Sequence, residues 1–480
     1  MPLADTYRDH LTAVMERRKI PGAGVFLRRK DDVLFDEGVG LADREAGRPV
    51  TQETIFGIGS VTKSFTCVAI MQLVDAGKLK VTDPVYDHLP ALRREGGTDL
   101  SGVTLHHLMS NSSGLPPLPF LARGLVRAQR AEVSKDLFKI DVDKLPEPID
   151  SYDELVAAMA ETDITLLAKP GEVFSYSNDG FALLGRIVEL ASGQPYTDYV
   201  HQHILEPLGM TRSLYDGERL LQMGDVTELY SYIDGFDRVE HTPGWWESPC
   251  MTSAGFLRST ARDMGKYAEL FFGNRPDLLS PESLAAITSP HIVTGGDGRY
   301  YGYGMMVQPD FHGRTLVEHG GNIKGVAAYF TMIPAEELVS VVLNNITGGP
   351  TGGLTLAGIN LALGLPVGEH RVTLPPVTVS DAKVDLMLGT YQSDEGAKIE
   401  FVRDEDGSLY AENPQARLDA KAVGDAKIEV DVNGDPALAY FSDDGPDGFQ
   451  RVFFGFRILT RVEPKQAEEE SATEGSAQEA

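Results

Sequence analysis

Strand patterns occupy both ends of the first 370 residues of this chain, and a long helical stretch separates them. Near the start, residues 23–27 and 33–39 are apolar runs around a polar turn at Lys30-Asp31-Asp32, which reads as a hairpin. Near the end, residues 301–307, 315–318, 327–332 and 338–343 carry the same signal. Residues from about 100 to 290 are helix and loop, rich in Gly and Pro. Such a chain is expected to build one sheet from its two ends. The predicted class is therefore α+β: an antiparallel sheet flanked by terminal helices, with an inserted helical subdomain. The terminal helices are residues 4–18, with Tyr7, Leu11, Val14 and Met15 on one face, and a Gly-rich helix at about 353–364. A ligand site is expected in the cleft between sheet and helices.

Beyond residue 370 the pattern changes. Leu374-Pro375-Pro376 breaks the chain, so 371–377 reads as a linker. Residues 378–463 hold short alternating runs separated by turns such as Glu405-Asp406-Gly407 and Asn433-Gly434, the signature of a small all-β domain and an expected barrel. Residues 464–480 are mostly Glu, Ala, Ser and Gln, an acidic tail expected to be disordered.

Charge narrows the function classes. A formal net charge of −28 argues against nucleic acid and anionic membrane surfaces, both of which need basic patches. The N-terminus lacks the basic-then-apolar pattern of a signal peptide, and no apolar run approaches the roughly 20 residues of a membrane span. The chain as given therefore reads as soluble and cytoplasmic. The two cysteines, Cys67 and Cys250, form no disulfide framework and read as small buried hydrophobes. The eleven histidines show no metal-binding spacing, so neither metal nor cofactor is expected.

Three short motifs carry chemistry. Ser60-Val61-Thr62-Lys63 follows Gly57-Ile58-Gly59 at the start of an apolar helix reaching Gly77. A spacing of three returns to the same helix face, so hydroxyl and amine can meet. A serine alcohol becomes a nucleophile when a base takes its proton. A helix N-terminus also offers N–H groups to a developing oxyanion. Tyr176-Ser177-Asn178 follows a turn and precedes a second apolar helix. Its tyrosine can exchange a proton with a lysine, and its asparagine can hold Lys63 or a substrate amide. His319-Gly320-Gly321 ends a strand; glycines there let a substrate backbone approach. The N–H of Asn322, just beyond, can pair with that of Ser60 as an oxyanion hole. Each motif taken alone is better read as structure: an N-cap serine, a buried tyrosine with a capping asparagine, a strand histidine before a turn. Trp245-Trp246, the only tryptophans, can wall a pocket or pack a loop with equal plausibility.

The three motifs in this order resemble the serine β-lactamase and penicillin-binding protein superfamily. More narrowly, the chain resembles the class C β-lactamase-like group, which includes D-aminopeptidases, D-alanyl-D-alanine carboxypeptidases and esterases. The segments 103–116, 207–210, 253–260 and 301–304 look like further family signatures. The resemblance spans about residues 5–365. It implies that Ser60 is acylated and that Lys63 and Tyr176 share base and acid duties, without settling their order. It also implies that Asn178, His319, Gly320 and Gly321 bind substrate.

His319 stands where lactamases often carry lysine. A histidine is largely neutral near pH 7 and is a poor carboxylate anchor. The resemblance therefore points to a D-amino-acid-specific aminopeptidase or amidase acting on a small molecule or short peptide. The alternatives are a carboxylesterase with weak β-lactamase or carboxypeptidase activity, or a non-catalytic penicillin-binding sensor or scaffold. Gly389-Thr390-Tyr391 resembles the opening of the lipocalin-like domain appended to some aminopeptidase-type members. Such a barrel can shape the cleft or contribute an oligomer contact, which leaves a homo-oligomer open.

Overall fold

A computed structural model describes residues 2–462, apart from 234–237, 296–297, 372–376, 394–395, 414–415, 433–434 and 446–447. The Pro-containing break, the Asn433-Gly434 turn and the acidic tail fall outside the described residues. The chain divides into two compact units, Met1–Arg371 and Val372–Ala480.

The first unit is built on a nine-stranded sheet drawn from both chain ends, as the sequence pattern predicts. Its strands are β1 (Gly22–Arg29), β2 (Asp32–Asp43), β3 (Arg48–Pro49), β4 (Ile292–Val293), β5 (Tyr300–Tyr301), β6 (Met306–Phe311), β7 (Arg314–Ile323), β8 (Val326–Ile333) and β9 (Leu338–Asn344). The spatial order is β3-β2-β1-β9-β8-β7-β6-β5-β4. The two ends meet where β1 pairs antiparallel with β9, Val25 opposite Val342.

Alternation along the strands sends side chains to two cores. Val25, Leu27, Leu338 and Val342 join the helices α1 (Leu3–Arg17) and Thr351–Leu363 on one face. Tyr7, Leu11, Val14 and Met15 are buried there, and the Tyr7 hydroxyl donates to the Leu354 carbonyl at 2.8 Å. Phe26, Val341 and Phe330 face the other way, toward the helical subdomain. At the centre of that second core lies α2 (Thr62–Asp75), apolar on nearly all sides and therefore enclosed. Each of its fully buried large side chains, such as Phe65, contributes roughly 1.5–3 kcal/mol.

Two strand readings need correction. Residues 301–307 are not one strand but a hairpin, with Tyr301 opposite Met306. Gly304, at φ +66°, allows the reversal, and a Cβ there would stand 2.8 Å from the Lys63 carbonyl oxygen. The strand bearing His319 does not end at the histidine but runs to Ile323. Its glycines are strand residues, not a turn.

The second unit holds eight antiparallel strands, from Gly389–Gln392 to Arg457–Arg461, paired in chain order and closed by first against last. This is the closed up-and-down barrel expected of a lipocalin-like domain.

Candidate active site

The nucleophile candidate is placed by glycines. Phe56–Gly57 pairs with Arg258–Ser259, and the chain then turns through Gly59 at φ +50°. A Cβ on Gly59 would lie 2.6 Å from the Asn322 amide nitrogen, so only glycine fits. A single 3₁₀ turn, Gly59–Val61, leads into α2 and carries Ser60. Lys63 follows on the same face, its side chain wholly buried. Its Nζ donates to Ser60 Oγ at 3.0 Å, Asn178 Oδ1 at 2.8 Å and the Ala254 carbonyl at 2.6 Å.

The second motif is delivered by the start of α3 (Asn178–Ser192), whose N-cap is Ser177. The loop after residue 110 cradles it. The Ser175 N–H donates to the Asn111 carbonyl at 2.8 Å, and the Ser177 N–H to Asn111 Oδ1 at 3.0 Å. Asn111 holds this position at φ +52°, a conformation asparagine tolerates. Tyr176 is 7% exposed, and Lys63 Nζ lies 4.7 Å from its ring centre.

The third motif closes the site from the sheet. A Cβ on Gly321 would stand 1.9 Å from the Ile58 carbonyl oxygen and 2.8 Å from the Ser60 nitrogen. Gly321 therefore makes room for the enzyme's own nucleophile turn, where the sequence reading assigned the space to a substrate backbone. Gly320 faces the opposite way, toward the Tyr329 ring. The contact sets the Ser60 turn against the backbone of Asn322, whose Oδ1 accepts the Gly348 N–H at 2.7 Å.

His319 is buried, and both ring nitrogens are engaged. Nδ1 lies 2.6 Å from the Gly320 carbonyl, which can only accept, so Nδ1 carries the proton. Nε2 then accepts from the Tyr301 hydroxyl at 2.9 Å. Burial, reinforced by the nearby Lys63 charge, pushes the imidazole pKa down to about 3.

Trp245 and Trp246 diverge. Trp245 backs the strand before Ser60, 3.1 Å from where a Gly57 Cβ would stand, with the Arg258 guanidinium 5.1 Å from its ring centre. Trp246 is directed at Glu132, donating through Nε1 at 2.7 Å. Sequence reasoning missed Glu132 and Lys324, and it marked the segments holding Ala254 and Tyr301 without giving either residue a role. The first two announce themselves only through a contact spanning 192 positions, and a carbonyl leaves no mark in a sequence. Among the described residues, no group of three or more His, Cys, Asp or Glu is placed to hold a metal ion, and no helix is long and apolar enough to cross a membrane.

A sheet assembled from both ends of the first unit, with a buried lysine bonded to a serine at a helix head, is the arrangement expected of a serine hydrolase of the Ser-x-x-Lys class. Comparison with known proteins carries this to a family. The profile described as Beta-lactamase matches residues 7–363, and the chain belongs to the beta-lactamase family. Esterase EstB of Burkholderia gladioli is 33% identical over 371 residues, which cover 72% of this chain and 91% of the esterase. A D-aminopeptidase of Gluconobacter oxydans is 26% identical over 401 residues, 82% of this chain and 69% of that protein. Among solved structures, the octameric penicillin-binding protein homologue from Pyrococcus abyssi superposes with a TM-score of 0.69 at 29% identity. That match covers 95% of this chain and 99% of the homologue.

Proposed function

We propose that the protein hydrolyses amide bonds through an acyl-enzyme on Ser60, with a D-aminoacyl amide or short D-peptide as substrate and no need for a C-terminal carboxylate. The observation that carries this reading is the Lys63 amine, buried and bonded at once to Ser60 Oγ, Asn178 Oδ1 and the Ala254 carbonyl. Three acceptors around one amine suit the three N–H bonds of an ammonium. This supports Lys63 as the cationic partner and Tyr176, against whose ring it rests, as the group that takes the serine proton.

Ser60 Oγ then bonds to the substrate carbonyl carbon, and the carbonyl oxygen takes up the negative charge between the N–H groups of Ser60 and Asn322. Collapse breaks the C–N bond, and the proton returns to the departing amine. Water repeats the sequence and frees Ser60. Asn178 and His319 line the substrate's path, and Gly320 and Gly321 border it through their backbone alone. His319 supports the choice of substrate, because a neutral ring with both nitrogens engaged offers no charge to a carboxylate. Trp245 and Trp246 bound the site from the subdomain side.

A second reading, carboxylesterase, is favoured by the 33% identity to EstB. The octameric homologue supports a homo-oligomer, and the domain limits 1–370 and 378–463 remain our assignment. The test is fluorophosphonate labelling followed by turnover of D- and L-aminoacyl amides, p-nitrophenyl esters and nitrocefin. Wild type should gain one adduct and Ser60→Ala none. Lys63→Ala and Tyr176→Phe should each lose about 10²–10⁴-fold in acylation. An equal mass shift in Ser60→Ala would dismiss the nucleophile. Faster ester than amide turnover without D preference would give the second reading precedence.

A further inference from the structure

The strand β7 ends in a tight turn whose first residue is Lys324. Its Nζ donates to Glu132 Oε2 at 2.5 Å and to the Pro243 carbonyl at 2.9 Å. The two side chains are 2% and 1% exposed. Trp246 Nε1 donates to the same carboxylate oxygen, and the Ser134 N–H occupies the other at 2.9 Å. The Phe138 and Trp246 rings lie 5.9 Å apart, each less than 6 Å from the Lys324 amine. Burial pushes the Glu132 carboxyl up, but these three donors outweigh it and leave it ionised below its usual range. Burial likewise pushes the Lys324 ammonium down, against the pull of Glu132.

A buried ion pair is a poor way to gain stability, since well-packed apolar residues of similar volume often do as well or better. What this one supplies is a fixed position. It pins the short helices of residues 120–144 and the tryptophan loop to the tip of the β7–β8 hairpin.

That tip lies at one end of the site. The strand β6 pairs with β7 only as far as Glu318. Among the described residues, no strand covers 319–323 on that side. A substrate held at Asn322 and extending along this open edge reaches Lys324 two residues later, after about 7 Å.

We propose that Glu132 and Lys324, with Trp246 and Phe138, form the end wall of the acyl-group pocket and restrict the enzyme to short acyl groups whose far end is uncharged. About 7 Å admits roughly five or six chain atoms. The charges of the wall are already paired, so a charged acyl end would be desolvated there without compensation. Glu132 and Lys324 are specificity-determining residues that act at the end of the pocket, remote from the reacting carbonyl. The proposal rests on the acyl-enzyme reading.

The test uses p-nitrophenyl esters from acetate to decanoate on the full chain. In wild type, kcat/KM should fall once the acyl chain exceeds about six carbons. The double variant Glu132→Gln with Lys324→Met, and separately Phe138→Ala, should each raise the octanoate-to-acetate ratio of kcat/KM at least tenfold. Phe138 lies on a short, half-buried helix, so its variant decides the matter if the double variant does not fold. Folded variants that acylate Ser60 but keep the wild-type ratio within twofold would overturn the proposal. Absence of any Ser60 acyl-enzyme in wild type, read by intact mass, would instead refute the reading beneath it.

Discussion

The contact between Gly321 and the nucleophile turn gives the sharpest prediction. Adding one methyl group, Gly321→Ala, would place a carbon 1.9 Å from the Ile58 carbonyl oxygen and 2.8 Å from the Ser60 nitrogen. Ordinary carbon–oxygen contact begins beyond about 3.2 Å, so strand and turn must separate by about 1 Å or more. Backbone conformation is no obstacle, because Gly321 is not among the residues with positive φ; the whole effect comes from contact. The separation falls between the Ser60 and Asn322 N–H groups, the pair proposed to hold the oxyanion. Loss of one such donor costs about 10²–10³ in rate, about 2.7–4 kcal/mol of transition-state stabilisation. The expected result is a fall of that size in the rate of acylation by p-nitrophenyl acetate, measured by stopped flow, in a variant whose circular dichroism matches wild type. Gly321→Ala acylating within threefold of wild type would refute the reasoning. The strand would then be free to shift without cost to the site.

Two further predictions concern stability. His106 meets His291 and Tyr303, its ring 5.0 and 5.5 Å from theirs. Burial, with the neighbouring His291 and His107, pushes its pKa down to about 4, and burial also lowers His107 and His291. A folded state that binds protons more weakly than the unfolded chain is stabilised above the unfolded value of about 6.5 and loses that stability as pH falls toward 4. His106→Gln should therefore flatten the fall of Tm between pH 6.5 and 4, and an unchanged slope would count against the cluster. Arg371 holds the buried Glu318 carboxylate through Nε at 2.8 Å and a second nitrogen at 2.8 Å. Arg371→Met should cost about 3–5 kcal/mol by stranding that charge, with recovery when Glu318→Gln is added. A single variant melting with wild type, or a double variant no better than the single, would show the pair to be dispensable.

The sequence revealed those parts of the fold that depend on local pattern. Apolar runs at the two ends of the first unit located the sheet, because strands covered on both faces, such as residues 23–27 and 338–343, are apolar almost throughout. The spacing of Ser60 and Lys63 placed hydroxyl and amine on one turn, and the structure joins them at 3.0 Å. What stayed hidden was set by long-range contact. The glycines of residues 320 and 321 look alike in sequence, yet one faces Tyr329 and the other the Ser60 turn. The loop after residue 110 could be seen as a signature, but its work of holding Ser175 and Ser177 through Asn111 appears only in three dimensions. The hairpin at 301–307 was misread because its residues favour a strand individually, and only the reversal at Gly304 shows that two strands are present.

That hairpin bears on the choice of substrate. It delivers Tyr301 to His319 Nε2, while the Gly320 carbonyl fixes the proton on Nδ1. A histidine in the place of a lysine could in principle recover a positive charge by taking a proton. Here the proton would have to enter at Nε2, displacing the Tyr301 hydrogen bond, and would set a second cation near Lys63 on a buried ring. Burial first, and the Lys63 charge second, hold the ring's pKa down at about 3. On the proposed reading the site carries one cation beside the serine, with its hydrogen bonds directed at Ser60 Oγ, Asn178 Oδ1 and the Ala254 carbonyl. A carboxylate drawn to that cation would compete with Ser60 for the same amine. On the proposed reading, selection against free carboxylates therefore rests on the whole network and not on the identity of residue 319 alone. A lysine at 319 would set an ammonium beside Lys63, and the Tyr301 hydroxyl, which now donates to the ring, would have to turn and accept from it.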